Sequence, residues 1–169
     1  IERINEYCES RRSDRGTIGK NTLIANTGVI TNVNIGSYAI IEETSHLNNG
    51  SVNSCEGAPA VIGNNVVAEN FILASSSHVY NGAIIRECFL GEGVRIGSQF
   101  SAENSLFFAN CDIQHGEACA TFAGPYTVSH HKSSLLLAAF YSFYNAGSGT
   151  NFSNHMYKLG PVHQGVLGR

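Results

Sequence analysis

Residues 89–110 read FLGEGVRIGSQFSAENSLFFAN, with an aliphatic, aromatic or small residue at 90, 96, 102 and 108 and Gly, Glu or Ala directly after each. A helix face returns every 3.6 residues and a one-sided strand every 2, so a period of six belongs to neither. A short strand followed by a corner, repeated, satisfies it. Each side chain that returns at the sixth position then points into one tube, and the small residue after it sits where the chain turns.

The same beat runs outward from this stretch. It is met at Ile18, Ile24, Ile30, Ile35, Ile41, Leu47, Ile62, Ala68, Ala74, Ile84, Leu90, Ile96, Ala102, Phe108, Ile113 and Cys119. Gly, Ala or Glu follows eleven of these sixteen positions. A second inward position is expected four residues after each beat, where Thr22, Gly28, Ala39, Ser45, Val66, Ile72, Cys88, Val94, Phe100 and Leu106 stand. Three six-residue sides give an 18-residue triangular coil, and about six such coils at roughly 4.8 Å spacing stand roughly 29 Å tall. The loop at 53–61 and the shorter YNGA at 80–83 read as insertions at corners, and the five-residue steps 30–35 and 108–113 as single deletions there.

On these beats the chain resembles the hexapeptide-repeat proteins, many of them acyltransferases and some gamma-class carbonic anhydrases. The resemblance implies an all-β, left-handed parallel β-helix, against the usual right-handed crossover preference, and association as a trimer. The stretch YNAGSGTNFSNHMYKLGPVHQG at 144–165 also resembles a family of long, uncharacterised bacterial hexapeptide-repeat proteins, a match covering roughly the C-terminal third.

Composition narrows the function classes. Charged residues are 14% of the 169 and the formal charge is -3; with no Lys/Arg cluster beside an aromatic platform, a nucleic-acid partner is not expected. The longest strongly apolar run, Leu135 to Tyr144, is half of the roughly 20 residues a bilayer span needs. Five cysteines without a CxxC pair read as reduced thiols, which fits a cytoplasmic protein.

Residues 1–16 are expected to form a capping helix or linker on the spacing of Ile1, Ile4 and Tyr7, 17–128 the β-helix, and 129–166 an inserted apolar helix plus loop. That helix, SHHKSSLLLAAFYSFYN, is apolar on nearly every side and needs cover, as from a second subunit. Leu167 and Gly168 fit a resumed repeat at 167–169, which reads as the chain continuing beyond Arg169.

The family resemblance implies acyl transfer from an acyl-CoA, acetyl-CoA above all, to a sugar or sugar nucleotide, with a His as general base. His130, His131, His155 and His163 cluster in 129–166 beside Asn154, and His155 heads the catalytic candidates. Lys132, Lys158, Gly147 and Gly149 are the candidates for holding the donor. GSGTN at 147–151 lacks the lysine and the strand-to-helix setting of a phosphate loop and reads as an ordinary loop. His78 falls at an inward position, where a ring needs a polar partner. A carbonic-anhydrase-like zinc site is the weaker alternative: five residues beyond His115 stands Ala120, so a third ligand is missing and no metal ligands are assigned. The alternative of another class is a non-catalytic trimerising scaffold or ligand-binding module.

Overall fold

A computed structural model describes residues 1–11, 13, 15–152 and 162–167, of which Arg11 and 162–167 through the backbone alone. Twenty short strands lie among them, the first nineteen forming one continuous coil of parallel pairings, preceded by a helix, α1, at Glu2–Arg11. The chain is a parallel β-helix. No helix among the described residues is long and apolar enough to cross a membrane.

The registers set the regular coil at seventeen residues rather than eighteen. Ile18 pairs with Ile35, Ile35 with Val52, Leu73 with Leu90 and Leu90 with Phe107. Three columns of side chains result. The first runs Ile18, Ile35, Val52, Leu73, Leu90, Phe107, Ala123, Phe140; the second from Ile24 through Ile62 and Ile96 to Ser129; the third from Ile30 through Ala68 and Ala102 to Phe152. From the second coil onward nearly every member is buried. Eight coils are therefore stacked, about 34 Å over seven spacings of about 4.8 Å.

The missing residue belongs to the architecture. In most coils two sides take six residues and the third five, because the backbone stays paired around that corner in seven-residue strands: Val29–Ile35, His46–Val52, Val67–Leu73 and Ile84–Leu90. The sixth coil, Phe107 to Ala123, is shorter by one more residue, its side from Ile113 to Ala118 also taking five. The step from 30 to 35 is thus regular, and YNGA is an ordinary six-residue side between Val79 and Ile85, not an insertion. Two of the expected beats shift by one for the same reason, Leu73 and Phe107 being buried in place of Ala74 and Phe108; Ile85 and Ala118 are likewise buried in place of Ile84 and Cys119, the first closing the side that contains YNGA and the second the short side of the sixth coil. Ile72 and Leu106, expected inside, face outward, while Ala39, Val66, Cys88, Val94 and Phe100 are interior as expected. Ile18 is exposed because its coil is the first of the stack. The true insertion lies between Val52 and Ile62, where Val52 pairs with Leu73, twenty-one residues on.

Left-handed backbone makes the corners. Twenty non-glycine residues have φ between 49° and 63°, and nine are asparagine, the non-glycine residue that tolerates this region best. The small residue after many beats has a separate cause. A Cβ on Gly124 would stand 1.7 Å from the Tyr141 carbonyl oxygen, and one on Gly36 2.7 Å from the Ser54 amide nitrogen, so the next coil excludes a side chain there.

Leu137 departs from this chemistry: it holds φ 49° with its side chain 62% exposed. A left-handed conformation costs an ordinary residue about 1–2 kcal/mol. Leu137→Asn is expected to stabilise by about 1 kcal/mol, a rise of about 2–4 °C in a thermal melt. Leu106→Asn, on an exposed strand position, should give no gain, and equal shifts in the two variants would contradict the corner argument.

The apolar segment after residue 128 is not a helix. Val128–Ser129, Ser134–Leu136 and Ala139–Ala146 are strands of the seventh and eighth coils, parallel to the sixth and seventh. A short apolar run is ambiguous between buried helix and buried strand, and here pairing with the preceding coil decides it. Phe140 and Tyr144 stack at 4.1 Å and Phe152 meets both edge-on, closing this end of the interior. Val162–Leu167 then pairs antiparallel with Ala139–Ala146 instead of beginning a further parallel coil. The helix expected at the N-terminus is present, but its residues from Glu2 to Ser10 are all exposed, so it does not cap the core.

Candidate functional site

A seventeen-residue coil brings residues 78, 95 and 112 into one line. His78 pairs with Arg95 and Arg95 with Asp112 on successive coils, each just ahead of an inward residue of the second column and so pointing outward. The corner of the next coil adds His130, whose Nε2 lies 3.2 Å from Asp112 Oδ2. The other Asp112 oxygen, Oδ1, accepts a hydrogen bond from Gln114 Nε2 at 2.9 Å, and Ser98 Oγ donates to Gln114 Oε1 at 3.2 Å. Both carboxylate oxygens are thereby engaged, and Asp112 is three-quarters buried while His130 is half exposed. The Nε2–Oδ2 approach is a charge-pairing distance; with its proton on Nε2 a neutral imidazole there keeps its lone pair on Nδ1, the form a general base requires.

Tyr80 borders this line, with its ring over Gly97: a Cβ there would come within 2.5 Å of it. Burial and the Asp112 charge raise the Tyr80 hydroxyl, which Arg95 partly offsets. Arg95, Asp112, His78, Ser76 and Asn110 line a cleft of ≈ 270 Å³, to which the Arg95 guanidinium contributes a positive charge.

Burial, and then the Arg95 charge, hold the His78 imidazole below its ordinary value of 6.5. The native state thus favours neutral His78, and the unfolded chain takes up its proton first as pH falls. Stability is unaffected by this group well above 6.5 and declines as pH drops through that value. The melting temperature is expected to fall on acidification across this window, and His78→Asn to remove part of the fall; superimposable pH profiles of the two proteins would contradict it.

Of the expected site residues, His130 is brought to Asp112. His131 lies beside it on the same exposed corner. Lys132 and Gly149 line one cleft of ≈ 560 Å³ with His115, Glu117, Ser134 and Asn151. The Gly149 amide donates to the Lys132 carbonyl at 3.1 Å, and the Gly147 carbonyl accepts from Thr150. His155, Asn154 and Lys158 lie outside the described residues, and of His163 only the backbone is described. Among the described residues no three His, Cys, Asp or Glu side chains converge as a metal would require. Cys88 and Cys111 are interior, their thiols pushed up to about 11 by burial.

Sequence reasoning missed Asp112, Gln114 and Tyr80, and did not select Arg95 from Arg86, Lys132 and Lys158 as a cation for the donor's phosphates. The signal was their spacing: 78, 95 and 112 differ by seventeen, and an eighteen-residue coil puts them out of line.

Fold and site together define a parallel β-helix protein with an oriented His–Asp pair on one corner. More particularly, the chain belongs to the family described as a domain of unknown function, DUF4954, whose profile matches residues 1–169. No curated protein matches it.

Proposed function

We propose that the chain is a hexapeptide-type acyltransferase that moves an acyl group from an acyl-CoA, acetyl-CoA in the first instance, to a hydroxyl of a sugar-type acceptor. The observation that carries this reading is the His130–Asp112–Gln114 arrangement, an imidazole oriented through a carboxylate that is itself held. His130 Nδ1 takes the acceptor hydroxyl proton as its oxygen attacks the thioester carbonyl carbon. The carbon–sulfur bond breaks, and the departing thiolate takes the proton back from the imidazolium. Asp112 positions the ring and stabilises its charged form. Arg95, in the adjoining cleft, supplies charge for the donor's phosphates.

Consumption of acetyl-CoA, followed by chromatography with a panel of sugar acceptors, tests the reading. A thiol-reactive dye suits less well, since Cys8 and Cys55 are exposed. Binding has its own readout: acetyl-CoA at 100 times its dissociation constant stabilises by about 2.7 kcal/mol. Neither turnover nor stabilisation with any acyl-CoA would favour a scaffold. That rival is supported by exposed aromatics at one corner of the last two coils, where Tyr126 and Phe143 stack at 4.8 Å and Tyr141 is 69% exposed. Such a patch favours association, as a trimer on the family resemblance, and sedimentation as a monomer at every concentration would count against it.

A further inference from the structure

The five-residue corner carries a feature that acyl transfer does not use. On successive coils Asn32, Asn49 and Asn70 occupy the same left-handed position and are linked head to tail. Asn32 Nδ2 donates to Asn49 Oδ1 at 3.1 Å, Asn49 Nδ2 to Asn70 Oδ1 at 2.5 Å, and Asn70 Nδ2 to Glu87 Oε1 at 2.6 Å. Asn49, Asn70 and Glu87 are exposed and Asn32 is half-buried. Asn49 and Asn70 each spend one N–H hydrogen and one oxygen lone pair on the ladder and Asn32 one N–H, which leaves at least one N–H and one lone pair per amide. The ladder holds these free donors and acceptors in one orientation at about the 4.8 Å coil spacing.

The groove of ≈ 480 Å³ continues along the axis past a second row two residues further on, Asn34, Ser51, Ile72, Phe89 and Leu106, polar on the first two coils and apolar on the third to fifth, so the amides and the apolar edge follow one another and share only the third coil. Ile72 and Leu106 are 45% and 42% exposed. No Lys or Arg is among the groove's described lining residues and Glu87 is their one carboxylate, which disfavours phosphates and acidic chains. A peptide strand advances about 3.3 Å per residue and would fall out of step with the coils. An extended 1,4-linked pyranose chain advances by close to one coil per ring. It offers hydroxyls along one edge and C–H faces beside them.

We propose that this groove binds a neutral, extended β-1,4-linked glycan lying along the solenoid axis, the hydroxyls of its leading rings on Asn32, Asn49 and Asn70 and the faces of the following rings against Ile72, Phe89 and Leu106. The site is on a different corner from His130 and does not depend on the acyltransferase reading.

Titration calorimetry of the intact chain with cellohexaose, mannohexaose and chitohexaose, and with a hexamer of galacturonate as the acidic comparison, tests it. At least one neutral hexamer should bind, with affinity rising from dimer to tetramer as successive coils are engaged. Asn49→Gly keeps the left-handed corner while removing the amide, and Leu106→Ser removes an exposed apolar contact; each should weaken binding about tenfold. His130→Ala should leave binding unchanged, which separates this site from the proposed catalytic one. The proposal is overturned if none of the three neutral hexamers binds at millimolar concentration, if only the galacturonate hexamer binds, or if both groove variants bind like the parent.

Discussion

Replacing His130 by Ala is expected to lower the rate of acyl transfer by about 10²–10⁴, the usual contribution of a positioned general base. The donor's KM should change little, because the imidazole meets the acceptor hydroxyl rather than the nucleotide. Asp112→Asn should give a smaller loss of the same kind. An amide in place of the carboxylate no longer stabilises the imidazolium, and it can present its NH2 group to Nε2, which would move the ring proton to Nδ1. Steady-state kinetics on the two variants, with circular dichroism to verify the fold, provides the check. A turnover number within threefold of the parent for His130→Ala would remove this histidine from the chemistry and return attention to His155 and His163.

The second large effect is structural. Phe107→Ala should destabilise the protein by about 3–5 kcal/mol, since a fully buried phenylalanine is lost and a cavity remains. Phe107 is completely buried in the first column, packs edge-on against Phe100 at 6.5 Å, and has the small Ala123 as its neighbour on the next coil. With a methyl group on that side, nothing large is placed to swing into the void. Phe122, one residue before Ala123, points outward and is 43% exposed; Phe122→Ala should cost well under half as much despite its ring contact with Phe108. Denaturant melts of the pair decide the matter, and similar losses would mean that the inward and outward sets have been confused.

Those sets were legible in the sequence to a definite extent. Ile35, Ile41, Leu47, Ile62, Leu90, Ile96 and Ile113 show the beat and are all interior, because a tube built from repeated sides forces its periodicity on the chain. What the beat conceals is the five-residue side. A strand that stays paired around a corner has no turn residue of the usual kind, so Leu73 and Phe107 hide next to Ala74 and Phe108. The recurring asparagines were the available marker, since Asn32, Asn49 and Asn70 take the left-handed conformation at that corner. The run from Leu135 to Tyr144 was misread because its partners lie seventeen residues back, where local periodicity does not reach. The candidate site was half legible for the same reason. His130 stood out as part of a histidine cluster, whereas Asp112 acquires meaning only from the preceding coil.

The coil length is the quantity on which interior, corner and site all rest, and disulfide trapping measures it. Glu69 and Arg86 are register partners on adjacent coils, seventeen residues apart, at a Cα separation of about 4.8 Å that a disulfide spans. In a background with the exposed Cys8 and Cys55 changed to Ser, Glu69→Cys with Arg86→Cys should oxidise readily to a cross-linked, folded protein. Glu69→Cys with Glu87→Cys, the pairing an eighteen-residue coil requires, should not. Preferential cross-linking of the second pair would contradict the seventeen-residue coil and the line of His78, Arg95 and Asp112 that depends on it.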